Sequence, residues 1–253
     1  MAKVYVITSG KGGTGKTTST VNLGSAFNKF GEEVVIVDAN LTTPNIGLYF
    51  GAPIVPLNLN HVMQGKANVE DAIYEHESGV KIIPSSLSLK EAKKIKYDSL
   101  SEIAIDLKKK FDYVIMDSAA GLGEEAKSAI EVGDDIIVVT NPNILSVTDA
   151  LKTIKLAEEL NKDVKGVIIT RVKGERSEMS IQNIKEMLEV PVLGIVPEDD
   201  AINESLARKN SVIHTYPRSK SSRAYKEIAA KILGKKLKEE SFFERVLASL
   251  GFG

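Results

Sequence analysis

A chain of 253 residues that is 43% hydrophobic can bury a sizeable core, and its 33 Lys plus Arg against 34 Asp plus Glu leave a net charge of −1. No global field draws such a chain onto nucleic acid or acidic lipid, so any binding of that kind must come from a local patch. Cysteine is absent, which excludes disulfides, thiolate nucleophiles, Cys-ligated zinc and iron–sulfur clusters.

The N-terminus enters an apolar strand pattern at residues 4–8 at once, without the long apolar stretch of a signal peptide. No run approaches the ~18 apolar residues of a membrane span, so a cytoplasmic location is expected. Directly after that strand, Gly10-Lys11-Gly12-Gly13-Thr14-Gly15-Lys16-Thr17 fits G-x-x-x-x-G-K-[ST], and a helical pattern follows over residues 17–30. The glycines let the backbone turn tightly and aim N–H groups at phosphates, and the helix start adds its positive dipole end. In this reading Lys16 bridges the β- and γ-phosphates, the Thr17 hydroxyl ligates Mg²⁺, and Thr18 lies near the α-phosphate.

A second strand pattern, 34–37, ends on Asp38, which is expected to approach the magnesium through water or else to be an ordinary turn residue. Residues 40–56 are loop-rich and helix-poor, and strand 80–84 follows, with His61 and His76 on either side of residues 62–75. Neither these histidines nor His214 has metal-ligand spacing, so all three are read as surface or packing residues. Helix 100–111 then leads into strand 113–116, which ends on Asp117. A carboxylate there poises the metal or its water shell, the alternative being a strand-terminal cap. Helix Glu124–Val132, strand 136–140, helix 146–160, strand 167–170, helix 177–188 and strand 192–196 continue the alternation. The strands are nearly continuous in apolar character, as strands buried on both faces are. The expected fold is therefore α/β, a mostly parallel central sheet flanked by helices on both faces, with ligands at the carboxyl ends of the strands.

A last core helix at 222–233 precedes Gly234 and the Lys-rich run 235–238, the one plausible linker. It divides an expected domain over 1–234 from a segment over 235–253. In that segment Phe242, Phe243, Val246, Leu247 and Leu250 form one apolar stripe, with Glu239, Glu240, Glu244 and Arg245 on the other face. Such a helix either binds lipid at the interface, aided by Lys231, Lys235, Lys236, Lys238 and Arg245, or packs on the domain. The basic residues Arg208, Lys209, Arg218, Lys220 and Arg223 make only a modest cluster, and nucleic acid is not an expected partner.

Lys11 is unusual. One loop can hardly direct two lysines at one γ-phosphate against like-charge crowding, so the economical role for Lys11 is to reach a nucleotide held by a second subunit. The run Ser9 to Thr18 resembles the deviant Walker A loop of the MinD/ParA family of P-loop ATPases, its archaeal MinD-like branch above all. Asp38-Ala39-Asn40 with Pro44-Asn45-Ile46-Gly47 resembles that family's switch I. Ile115-Met116-Asp117-Ser118-Ala119-Ala120-Gly121 resembles its Walker B strand and switch II. The likeness spans about residues 2–235.

The resemblance implies ATP/ADP and Mg²⁺ as ligands, an ATP-dependent homodimer with Lys11 acting in trans, and reversible membrane binding through the C-terminal helix. It also implies an unidentified regulatory protein and work in positioning the division site or a polar structure. It places nucleotide contacts at Gly10 to Thr18, Asp117 and Asn141, with the base between Arg171 and the turn Pro197-Glu198-Asp199. Arg171 reads equally as a surface residue. Adenine is favoured because Asn161-Lys162-Asp163-Val164 lacks the Asp of a guanine-reading turn.

One departure concerns catalysis. Many members read Asp-x-Asp after this strand, where the chain has Asn40, and an amide cannot accept a proton. Hydrolysis is expected to be slow, with Lys11, Lys16, Asp38 and Asn40 as the catalytic set. A DNA-partitioning ATPase of the ParA type and a nucleotide-gated scaffold with little hydrolysis are the alternatives.

Overall fold

The apolar runs beginning at Val34, Tyr113 and Lys3 lie side by side because each has two faces to bury. In a computed structural model, which describes residues 2–92, 95 and 97–237, the chain alternates strand and helix almost throughout. Its first half runs β1 (Lys3–Ser9), α1 (Lys16–Lys29), β2 (Val34–Ala39), α2 (Ile46–Tyr49), α3 (Leu59–Met63), β3 (Tyr74–Glu75), β4 (Lys81–Ile83), α4 (Leu89–Ala92) and α5 (Ser99–Lys108). The second half runs β5 (Tyr113–Ala120), α6 (Glu124–Val132), β6 (Asp135–Thr140), α7 (Ile144–Glu159), β7 (Val164–Val172), α8 (Ile181–Leu188), β8 (Val192–Pro197), α9 (Asp200–Ala207), α10 (Val212–Thr215) and α11 (Lys220–Leu233).

The described strands form one sheet of order β3-β4-β2-β5-β1-β6-β7-β8, parallel except for β3, which pairs antiparallel with β4 at the edge. Alternate residues of each strand enter different cores. Val4, Val6, Val114 and Met116 pack with Leu107 of α5, Ile130 of α6 and Ile154 of α7. Tyr5, Ile7, Ile115 and Ile137 pack with Phe27 of α1 and Tyr225 and Ile228 of α11. A sheet covered on both faces needs apolar residues at every position, which is why the strands read as continuous runs.

Several boundaries differ from the sequence expectation for local reasons. The helix expected from 177 starts at Ile181, because the Ser180 side chain accepts from Asn183 N as an N-cap. The stretch 40–56 holds a short helix, α2. Helices α9 and α10 lie where no helix was read. Among the described residues no helix is long and apolar enough to cross a membrane. The apolar stripe from Phe242 to Leu250 lies outside the described residues. Lys231 Nζ donates to Val192 O at 2.8 Å, and Lys235 pairs with Glu32 and donates to Phe30 O at 3.1 Å. Those two ammoniums, which the lipid-binding alternative would use, therefore bond to the domain in this structure.

Candidate functional site

Three parallel strands, β2, β5 and β1, end together, and the loop from Gly10 to Gly15 lies across those ends. Its backbone is set by packing as much as by turning. A side chain at Gly10 would place its Cβ 2.2 Å from the Asp149 carbonyl oxygen, so α7 passes directly over the loop. Gly13 and Gly15 have φ of 80° and 89°, a region costly for other residues. Gly15 is the N-cap of α1, and no side chain caps that helix. The first amides of α1 thus point outward without a side-chain partner, the arrangement that receives an anion.

The loop is tied to its neighbours by side chains on other strands. The Thr170 hydroxyl of β7 lies 2.5 Å from Thr14 O, and Asn141 Nδ2 donates to Thr170 Oγ1 at 2.9 Å and Thr14 O at 3.3 Å. Gly121 N, just past β5, donates to Ser9 O at 2.9 Å. Asn141, assigned by sequence to the nucleotide, therefore commits its amide nitrogen to holding the loop. The sequence named Thr170 only as part of the strand end bordering the base; its hold on the loop exists only once β6 and β7 are adjacent.

Asp117 sits fully buried at the end of β5. Lys16 Nζ donates to its Oδ1 at 2.8 Å, Thr17 Oγ1 to its Oδ2 at 2.5 Å, and Thr20 Oγ1 to its Oδ1 at 3.0 Å. Three donors from the first two turns of α1 thus converge on one carboxylate. Thr20 was also unforeseen, although its position three residues beyond Thr17 places both on one helix face.

Asp38, the register partner of Asp117 on β2, is equally buried. Its Oδ2 accepts from Asn45 N and Ile46 N, each at 2.9 Å, which ties the start of α2 to the strand end. Burial raises its pKa to about 8, and the neighbouring Asp117 carboxylate pushes in the same direction. Asn40 closes the following turn: its Nδ2 donates to Thr43 O at 2.7 Å and its Oδ1 accepts from Thr43 Oγ1 at 3.0 Å. Glu125 of α6 then accepts from both Thr42 N, at 3.0 Å, and Thr42 Oγ1, at 2.7 Å.

A cavity of about 480 Å³ opens over the loop, walled by Gly12, Gly13, Gly15 to Thr18, Asn40, Tyr49, Ala120 and Arg171 among others. A second of about 330 Å³ shares Gly15, Thr18, Tyr49, Arg171 and Leu206 with it and extends to Pro197, Glu198, Asp199 and Tyr225. Together they make a lobe over the phosphate loop and an adjoining lobe at the ends of β7 and β8. Arg171 has φ 57°, at the point where the β7–β8 register shifts. That bulge aims Arg171 into both lobes. Asp199 lines the second lobe, but its carboxylate accepts from Ala201 N and from Ser221 N and Oγ, so it caps α9 and anchors α11.

Lys11 lines neither lobe. Its ammonium forms no hydrogen bond or ion pair with any described residue, whereas Lys16 is buried on Asp117.

The uncapped helix start, the positive-φ glycines and the convergence of Lys16 and Thr17 on a strand-end carboxylate define a P-loop nucleotide-binding protein. The chain belongs to the CobQ/CobB/MinD/ParA nucleotide-binding domain family, which matches residues 5–212. It is 40% identical to an uncharacterized ATP-binding protein of Methanocaldococcus jannaschii over 99% of this chain and 97% of that one. Among solved structures, the cell division ATPase MinD of Pyrococcus furiosus superposes with a TM-score of 0.89 at 34% identity, over 92% of this chain and 99% of that one. The septum site-determining protein MinD of Pyrococcus horikoshii, solved with Mg-ADP, gives 0.88 at 33% identity, over 92% and 96%.

Proposed function

We propose that this chain is a MinD-like switch ATPase that binds ATP with magnesium and dimerises in that state. It works in the cytoplasm, attaches reversibly to a membrane through its C-terminal segment, and positions the division site or a polar structure under an unidentified regulatory protein. Support for the nucleotide comes from the two-lobed cavity and from the Mg-ADP bound by the Pyrococcus horikoshii relative. Thr17 and Asp117 would hold the ion, with Asp38 behind them, and the ion would neutralise phosphate charge. Lys16 would leave Asp117 for the phosphates, and the outward amides of α1 would orient them.

The observation that carries the dimer is Lys11. A half-buried lysine on the phosphate loop that lines neither lobe and bonds to no described neighbour supports a role toward another molecule. Segments that touch the loop carry exposed apolar side chains: Leu122, Ile144 and Leu145 are 42%, 57% and 69% exposed. An interface there would cover them. Light scattering with MgATP tests this on the unaltered chain, Lys11→Ala and Lys16→Ala. Dimers lost in Lys11→Ala while MgADP still binds support the reading, and dimers retained overturn it. Co-sedimentation with anionic liposomes, using the full chain and one ending at Lys236, tests the membrane part. ATP-dependent binding should vanish on truncation.

A nucleotide-gated scaffold with little hydrolysis is favoured by one observation. The Asn40 amide is spent on Thr43 rather than free to hold a water. Phosphate release in a single turnover separates the two readings.

A further inference from the structure

Tyr49 stands at the junction of the two lobes and walls both. It ends α2, the helix pinned to Asp38, and its ring is 4% exposed, packed with Val21, Ile36, Phe50 and Ile82. Such a site suits phenylalanine, yet the residue carries a hydroxyl. That hydroxyl is buried, and no described group reaches it with hydrogen-bond geometry. The Asn22 and Thr18 side chains lie close enough to pull its pKa down against burial, without completing a bond. Asn22 is already committed, Nδ2 to Thr18 O at 2.8 Å and Oδ1 to Val212 N at 2.9 Å. An unmade buried hydrogen bond is costly, and so points to a partner that arrives with a ligand.

We infer that the Tyr49 hydroxyl is a nucleotide-binding group that donates to the link between the α-phosphate and the sugar. This rests on the nucleotide reading above and names a contact within it. A nucleotide with its phosphates on Gly12 to Thr18 and its base against Pro197 must pass its α-phosphate and sugar through the junction where Tyr49 stands. Thr18, beside the hydroxyl, lines both lobes. The hydroxyl is covered in the ligand-free structure, so engagement requires α2 to turn slightly about its tie to Asp38. The same turn would report occupancy of the site to the loop that Asn40 and Glu125 hold. Burial pushes the phenol up to about 12, so it stays protonated and donates.

The test is Tyr49→Phe in the full chain, which keeps the ring and removes the donor. Magnesium ADP and magnesium pyrophosphate are titrated by calorimetry, and unfolding is followed without ligand. Affinity for MgADP should fall about three- to tenfold, as one hydrogen bond to a ligand is worth, while pyrophosphate affinity stays unchanged. The ligand-free unfolding midpoint should stay level or rise, because no protein partner is lost. Equal MgADP affinity overturns the assignment. So does an equal loss for both ligands, or a lower midpoint without ligand, since either means that the hydroxyl serves the fold. Failure of the unaltered chain itself to bind MgADP sinks the nucleotide reading, and this contact with it.

Discussion

Asp38 and Asp117 are register partners on adjacent parallel strands, yet their carboxylates are satisfied from different sides. Asp117 takes donors from α1, including the Lys16 ammonium, while Asp38 has only backbone amides of the loop it holds. Full burial and the like charge next door fall on a carboxylate without a cation of its own, and the pKa of Asp38 rises. Between the unfolded value of 3.8 and about 8, the folded state then binds a proton that the unfolded state has released. Stability from this group is therefore fully present below pH 3.8 and is lost as pH rises toward 8. Ligand-free Asp38→Asn should lose this component, so its unfolding midpoint should fall less than that of the unaltered chain between pH 5 and pH 8. Parallel midpoint curves for the two proteins would show that Asp38 does not titrate there.

The two loop lysines should separate cleanly. Lys16→Ala strips the cation from a pair whose side chains are 8% and 0% exposed. Breaking such a pair from one side costs about 3 kcal/mol, because the remaining charge stays buried. Chemical denaturation should register that loss, together with loss of nucleotide binding. Lys11→Ala removes no described partner and should leave the ligand-free midpoint unchanged while abolishing the MgATP dimer. Equal destabilisation by both variants would contradict the division of labour between them.

Asn40 carries a prediction of mixed sign. Its amide both donates to and accepts from Thr43, and a carboxylate cannot do the first. Asn40→Asp would set a negative charge against the Thr43 carbonyl and cost about 1–3 kcal/mol, as an unmade buried hydrogen bond does. The same change restores the carboxylate that members of the MinD/ParA pattern carry here, so phosphate release should accelerate despite the weaker fold. Thermal unfolding and single-turnover release measure the two halves. A variant that is less stable and no faster would place Asn40 in the architecture of the loop alone.

The strands and their order of appearance were legible because burial on both faces leaves a continuous apolar signature, as in Val34 to Val37 or Tyr113 to Met116. Lys16, Thr17 and Asp117 could be named in advance because a phosphate loop has a fixed spacing and a strand end a recognisable charge. What escaped depends on neighbours that only the fold supplies. Thr170 and Asn141 meet the loop because β6 and β7 are adjacent, and no spacing along the chain encodes that. Asp199 lines the second lobe as the sequence suggested, but its tie to Ser221, 22 positions away on α11, was not readable from spacing. Tyr49 was not singled out within the loop-rich stretch 40–56, since a four-residue helix is too short to show a period.

Glu125 clasps Thr42 through both carboxylate oxygens, joining the loop after β2 to the helix that follows β5. These are the two segments through which the site would communicate its occupancy: Asp38 anchors the first, and Ser9 O holds Gly121 N of the second. Thr42 is exposed and Glu125 only half-buried, so the clasp contributes little to global stability. Its effect should instead fall on the balance between loop arrangements, where a differential of about 1.4 kcal/mol is tenfold. Glu125→Ala should leave the unfolding midpoint within error but speed hydrogen exchange at the amides of Thr42 to Ile46 in the ligand-free protein. Exchange there identical to that of the unaltered chain would mean that Asp38 and Asn40 alone hold the loop.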